Sequence, residues 1–159
     1  MSGHLHPDFA DLLAVFVEED VRFLLVGAFA LAAHGVVRAS GDMDVWVRPD
    51  AENATRVWNA LVRFGAPVEQ HEVRESDFAQ PGVVYQMGVP PTRIDILTRI
   101  DGVEFDEAWV GRVDARVGDL ALSFLGLREL LRNKRAAGRP KDLQDIELLR
   151  EAGVAVDER

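Results

Sequence analysis

The six residues VRFLLV, Val21–Val26, constrain the fold more than any other stretch of this chain. The run is short, apolar and β-branched at both ends, which reads as a strand. Gly27 breaks it, and AFALAAHG then reads as a short helix that stops at Gly35. A strand passing straight into a helix at a glycine points to a mixed α/β chain with a small central sheet.

The rest of the chain extends that pattern. PDFADLLAVFVEED spaces Phe9, Leu12, Leu13 and Phe16 as one face of a helix, with Pro7 and Asp8 suited to its first turn. DMDVWV is a second strand closed by Pro49. PDAENATRVWNALVRFG is an amphipathic helix with Val57, Leu61 and Phe64 inward. GVVYQMGV and TRIDILT read as a hairpin across the Pro90–Pro91 turn, and EFDEAWVGR as a short helix or turn. RVDARVGDLALSFL reads as two strands around Gly118. GLRELLRNKRAAG and PKDLQDIELLREAG are two helices hinged at Gly138–Pro140. No linker or repeat interrupts the 159 residues, so one domain spanning 1–159 is expected, with 126–152 as a C-terminal helical pair.

Bulk properties narrow the function. There is no cysteine, which excludes disulfides, thiolate metal sites and a cysteine nucleophile. The N-terminus MSGHLHPDF has no signal-peptide pattern and no apolar run reaches spanning length, so a cytoplasmic location without membrane contact is expected. A net charge of -9 argues against a grip on duplex DNA. The charge is uneven, however. Arg128, Arg132, Lys134, Arg135, Arg139 and Lys141 share a segment with the single acid Glu129, leaving +5 there and -14 elsewhere. Such a patch is either a solvated helix face or a seat for a small polyanion.

The DMDVWV strand opens on two carboxylates. Asp42 and Asp44 are two residues apart, and side chains in a strand alternate, so both lie on one face and repel. With 15 aspartates in the chain, such a spacing arises by chance about once. Two neighbours give it meaning. Gly27 opens a helix whose free N–H groups and dipole attract phosphate, although an ordinary strand-to-helix turn would look the same. Asp95 stands in the middle of RIDIL, where Ile94 and Ile96 point one way and Arg93, Asp95 and Leu97 the other. An aspartate there is costly without a partner, unless that sheet face is wet. If the two strands are neighbours, three carboxylates converge. Hard divalent cations, Mg²⁺ or Mn²⁺, would relieve their repulsion. Two such ions can polarise an attacking hydroxyl and steady a leaving pyrophosphate.

The block VGAFALAAHGVVRASGDMDVWV together with RIDIL resembles the nucleotidyltransferase superfamily with the DNA polymerase beta-type fold. His34, Gly35, Arg38 and Ser40, and the tail LRNKRAAGRPKDLQDIELL, are similar to bacterial abortive-infection-type nucleotidyltransferases and their small relatives. The likeness runs from about Val21 to Leu149. It implies transfer of a nucleoside monophosphate from a nucleoside triphosphate to an acceptor hydroxyl. Asp42, Asp44 and Asp95 would hold Mg²⁺ or Mn²⁺ and, with Lys134, carry the chemistry. Gly27, Ala28, Ser40, Lys134 and Asp142 would bind the nucleotide, with Asp142 or Asp145 supporting Lys134 or the acceptor. The acceptor is left open among tRNA, a protein and a small molecule. So is a toxin-like role, with an antitoxin or a second copy of the chain as partner. Ala28 departs from the pattern, which has Gly or Ser there, and motivates the alternative of an inactive nucleotide- or protein-binding module. A carboxylate-metal phosphohydrolase is a third reading.

Other residues have plainer expectations. His34 at a helix end is a structural histidine, or a group that orients the Asp42–Asp44 loop or touches a base. Arg38 pairs with an aspartate or reaches phosphate. Trp46, Trp58 and Trp109 are too dispersed to form a stacking platform and are expected to pack or to sit at an interface.

Overall fold

The computed structural model describes residues 5–37 and 41–156. Its centre is a six-stranded mixed sheet: β1 Phe23–Val26, β2 Met43–Val47, β3 Val84–Met87, β4 Ile94–Leu97, β5 Val113–Val117 and β6 Leu120–Phe124, in the order β3-β4-β2-β1-β6-β5. β1 runs antiparallel to β2, whereas β2 and β4 are parallel, as are β1 and β6. The two hairpins β3–β4 and β5–β6 close the edges. Six helices surround the sheet: α1 Pro7–Glu18, α2 Gly27–Ala33, α3 Ala51–Phe64, α4 Phe105–Val110, α5 Leu127–Ala137 and α6 Pro140–Glu151. The mixed α/β class expected from the alternating patterns is the one observed.

Strand alternation sorts the sheet into two faces. Leu25, Val45 and Ile96 point to the side covered by α1 and α3, where they pack with Phe9, Leu12, Phe16, Val57 and Leu61. Leu24, Val26 and Trp46 point to the other side, against Leu31 of α2, Phe105 of α4, Leu130 of α5 and Ile146 and Leu149 of α6. The C-terminal helices therefore pack on the same sheet face as α2. Trp46 meets the edge of Phe105 with ring centroids 5.0 Å apart, and Arg112 and Arg22 sit over Trp109. The tryptophans pack, as their dispersal suggested.

Two differences from the sequence reading have local causes. β1 begins at Phe23 rather than Val21, because the Arg22 N–H donates to Asn53 Oδ1 and leaves the ladder. Asn53 is buried and its Nδ2 donates to both Arg22 O and Arg48 O, pinning α3 to the ends of β1 and β2. No element was expected between Gly65 and Gly82, yet Glu75–Ala79 forms a 3-10 turn that drives Phe78 into the core. One buried aromatic in a polar stretch has no periodicity by which to announce itself. Among the described residues, no helix is long and apolar enough to cross a membrane.

Candidate active site

The parallel pairing of β2 with β4 puts Asp44 directly opposite Asp95. Val26, the last residue of β1, faces Asp44 from the other side. Strand alternation aims both carboxylates at the face shared by α2, α5 and α6, away from Val45 and Ile96. Asp44 pays a clear electrostatic penalty. Burial, then the charge of Asp95 and a hydrogen bond with it, push its carboxyl up to about 6.

Gly27 explains how the chain fits here. It opens α2 with φ +60, a conformation natural to glycine. A methyl group on it would collide with Asp44 Oδ2. The glycine thus brings a helix N-terminus against the carboxylate, as its position between strand and helix suggested. Ala28 follows in the first turn of α2 and lines the same cavity.

Asp42 lies one residue before β2. Its Oδ1 accepts from the Arg93 backbone N–H at 3.1 Å. The Arg93 side chain lies 3.6 Å from Asp42 Oδ2, and its Nε donates to Asp95 Oδ1 at 3.0 Å. Among the described residues, no group of three or more His, Asp or Glu side chains is arranged to hold a metal ion as it stands. Arg93 is the physical reason we identify, because its guanidinium already serves as counter-ion to Asp95 and Asp42. The donor chemistry still fits a hard divalent cation. Asp44 and Asp95 offer carboxylate oxygens side by side, with the Asp44 carboxyl raised first by burial and then by the Asp95 charge.

These groups border a cavity of about 420 Å³. Asp42, Asp44, Gly27 and Ala28 line one part, and Lys134, Arg139, Lys141 and Asp145 from the C-terminal helices line another. Leu31, Leu97, Val84 and Ile100 add apolar wall. Asp95, paired with Asp44 on the neighbouring strand, is buried.

Lys134 is buried, with Nζ 2.9 Å from Asp145 Oδ2 and 3.4 Å from Asp142 Oδ1. The resemblance implied that Asp142 or Asp145 supports this lysine or the acceptor, and both carboxylates lie against the lysine. Asp142 also takes a hydrogen bond from Arg139 Nε at 2.7 Å and one from the Arg139 backbone N–H, which caps α6. Burial opposes ionisation of Asp142, but the Arg139 hydrogen bonds and the Lys134 charge hold its carboxyl below the usual range. His34 Nε2 donates to Leu125 O at 2.9 Å, tying the end of α2 to the strand end before α5, a structural role. Ser40 and Arg38 lie outside the described residues.

Sequence reasoning singled out the aspartates and Lys134 and named Lys141 only within the basic segment, but missed Arg93 and Arg99 as site residues. Arg93 precedes Asp95 by two positions, so strand alternation alone could have placed it on the same face.

No protein-family profile matches this chain. No curated protein matches it either. Among solved structures it is similar to a Thermotoga maritima protein described as a "putative nucleotidyltransferase", with a TM-score of 0.50, 12% identity, and 93% of this chain and 94% of that one covered. The chain has a nucleotidyltransferase-like fold. In that fold the register-paired aspartates and Gly27 meet at one end of β1, β2 and β4, next to the cavity roofed by α5 and α6.

Proposed function

We propose that this chain is a nucleotidyltransferase that moves a nucleoside monophosphate from a nucleoside triphosphate to an acceptor hydroxyl, releasing pyrophosphate. The observation that carries the reading is the Asp44–Asp95 pair, held opposite each other beside the glycine that opens α2. A buried carboxylate pair of this kind is unfavourable unless a cation joins it, and the fold is similar to that of a protein described as a "putative nucleotidyltransferase".

Asp44 and Asp95 would hold Mg²⁺ or Mn²⁺, with Asp42 as the third ligand once Arg93 releases it. The metal, when bound, supplies charge neutralisation at the transferring phosphoryl group and at the leaving pyrophosphate. The chain does the positioning. Backbone N–H groups at Gly27 and Ala28 bind phosphate oxygens at the positive end of α2. Asp95 accepts the proton of the acceptor hydroxyl. The hydroxyl oxygen forms its bond to the α-phosphorus as the bond to pyrophosphate breaks. The acceptor is a tRNA, a protein or a small molecule.

Each nucleoside triphosphate labelled at the α-phosphate, incubated with the protein, Mg²⁺ and a cell extract, should label an acceptor with one of them. Asp44→Asn and Asp95→Asn should abolish labelling. No labelling with any nucleotide, in Mg²⁺ or Mn²⁺, would remove the catalytic reading.

A second reading is an inactive nucleotide- or protein-binding module. Ala28 favours it, since it lacks a hydroxyl, and so does Arg93, which already satisfies Asp95 and Asp42. Asp44→Asn discriminates: a module keeps its partner binding, while the enzyme loses turnover.

A further inference from the structure

β5 is one edge of the sheet, and Val113, Asp114, Ala115 and Arg116 along it are all exposed. Its turn fixes which backbone groups are free. Val117 pairs with Leu120 across the two residues Gly118 and Asp119, so Val117 and Leu120 exchange both backbone hydrogen bonds. Alternation then points the N–H and C=O groups of Val113, Ala115 and Val117 at β6, and those of Asp114 and Arg116 away from the sheet. Among the described residues, no backbone group outside the hairpin bonds to either of them. Their side chains share the face opposite that of Ala115. Asp114 Oδ1 accepts from Arg112 Nε at 3.1 Å and from Ser123 Oγ at 2.7 Å, whereas Arg116 Nη2 donates to a backbone carbonyl, Asp119 O, at 3.1 Å.

We propose that β5 is the seat of a second copy of this chain, paired antiparallel about Ala115. A residue whose backbone groups point outward pairs with another such residue, which leaves three registers in which these positions meet. One sets Asp114 against the partner's Asp114, and another sets Arg116 against the partner's Arg116. Like charges directly opposite repel. The third sets Asp114 against the partner's Arg116 and Arg116 against the partner's Asp114, with Ala115 meeting its own copy on the two-fold axis. Charged residues ordinarily protect a sheet edge from pairing. Here they exclude the wrong registers and match in the remaining one, when the strand meets its own copy. β3, the other edge, is VYQM and carries no charge with which to select a register. β1 and β6 separate β5 from β2, so the pairing continues the sheet across both copies without involving Asp44 or Asp95.

The test is analytical ultracentrifugation of the full chain from about 1 to about 500 μM, because one strand pair is a small interface that dissociates on dilution. Wild type should pass from monomer to dimer in that range. Asp114→Arg and Arg116→Asp should each weaken the dimer by about tenfold or more, since each sets like charges opposite one another. An equal mixture of the two variants should dimerise again, as should the double variant Asp114→Arg/Arg116→Asp, because both arrangements restore opposite charges. Amide hydrogen exchange should slow over Val113–Val117 as concentration rises and stay unchanged over Val84–Met87. Asp114 also serves Arg112 and Ser123, so if Asp114→Arg lowers the melting temperature, Arg116→Asp and the wild-type exchange pattern decide the matter. A wild type that stays monomeric overturns the proposal. So does a dimer that folded single variants form as well as wild type, or one whose slowed exchange lies outside β5. Folded single variants that dissociate, yet are restored neither by mixing nor by the double substitution, overturn it too.

Discussion

Asp44 and Asp95 occupy the same register position on two parallel neighbouring strands, and the Asp95 charge adds to burial in raising the Asp44 carboxyl. Parallel pairing has the consequence that residues at the same level in both strands leave the sheet on the same face. Two carboxylates at that level cannot avoid each other. The sheet therefore holds an electrostatic strain that a bound cation, or a proton, relieves.

The first prediction concerns pH in the absence of metal. The Asp44 carboxyl is raised from 3.8 to about 6, so between those values the folded state holds a proton that the unfolded chain has lost. Stability from this group is thus greatest below the unfolded value, falls as pH rises through that window, and the penalty is complete above about 6. Its full size is of order 3 kcal/mol. In chelator, Asp44→Asn should be more stable than wild type by about 1–3 kcal/mol at neutral pH, with the difference vanishing in acid. Urea unfolding at several pH values measures this. A variant less stable than wild type at neutral pH would show that the pair is not strained.

Arg93 gives the second prediction. Its guanidinium holds Asp95 at 3.0 Å and stands 3.6 Å from Asp42. Removing a cation from among carboxylates favours another cation in its place. Arg93→Gln should bind Mn²⁺ more tightly than wild type, by about tenfold, in titrations followed by paramagnetic resonance. Weaker binding would mean that Arg93 organises the ligands instead of competing for them.

Gly27→Ala should disable the site. The added methyl meets Asp44 Oδ2, and the backbone is held at φ +60. The backbone term alone costs about 1 kcal/mol, and moving Asp44 dismantles the pair. Labelling activity should fall by at least a hundredfold while circular dichroism stays unchanged. Retained activity would separate the close approach of α2 from the chemistry.

The Lys134 cluster sets a stability prediction. Lys134→Met leaves Asp145 and Asp142 buried with only part of their counter-charge. Breaking a buried pair from one side costs about 3–5 kcal/mol. Thermal melting should show a large drop, and Asp145→Asn should show one of similar direction. A neutral outcome would mean that water reaches the cluster.

The candidate site was partly legible for a definite reason. Mid-strand Asp95 and the Asp42–Asp44 spacing are costly in an apolar context, and costly residues advertise a use. Arg93 was half legible, through its parity with Asp95. The state of Lys134 was not, because whether a lysine is free or paired depends on which helix returns beside it. Phe78 was invisible for the same kind of reason, since the turn that buries it is stabilised by contact with α3 and not by its own pattern.

Periodicity and glycine placement, both local properties, were enough to settle the strands, the helices, the mixed α/β class and the residues where charge meets apolar backbone. Only the tertiary structure decided that β2 lies beside β4 in parallel register, that Arg93 reaches both Asp42 and Asp95, and that Lys134 lies against Asp142 and Asp145. The longest of those contacts, Asp44 with Asp95 and Arg93 with Asp42, join residues 51 positions apart, and no local pattern carries the free energy of a contact formed when the chain closes on itself.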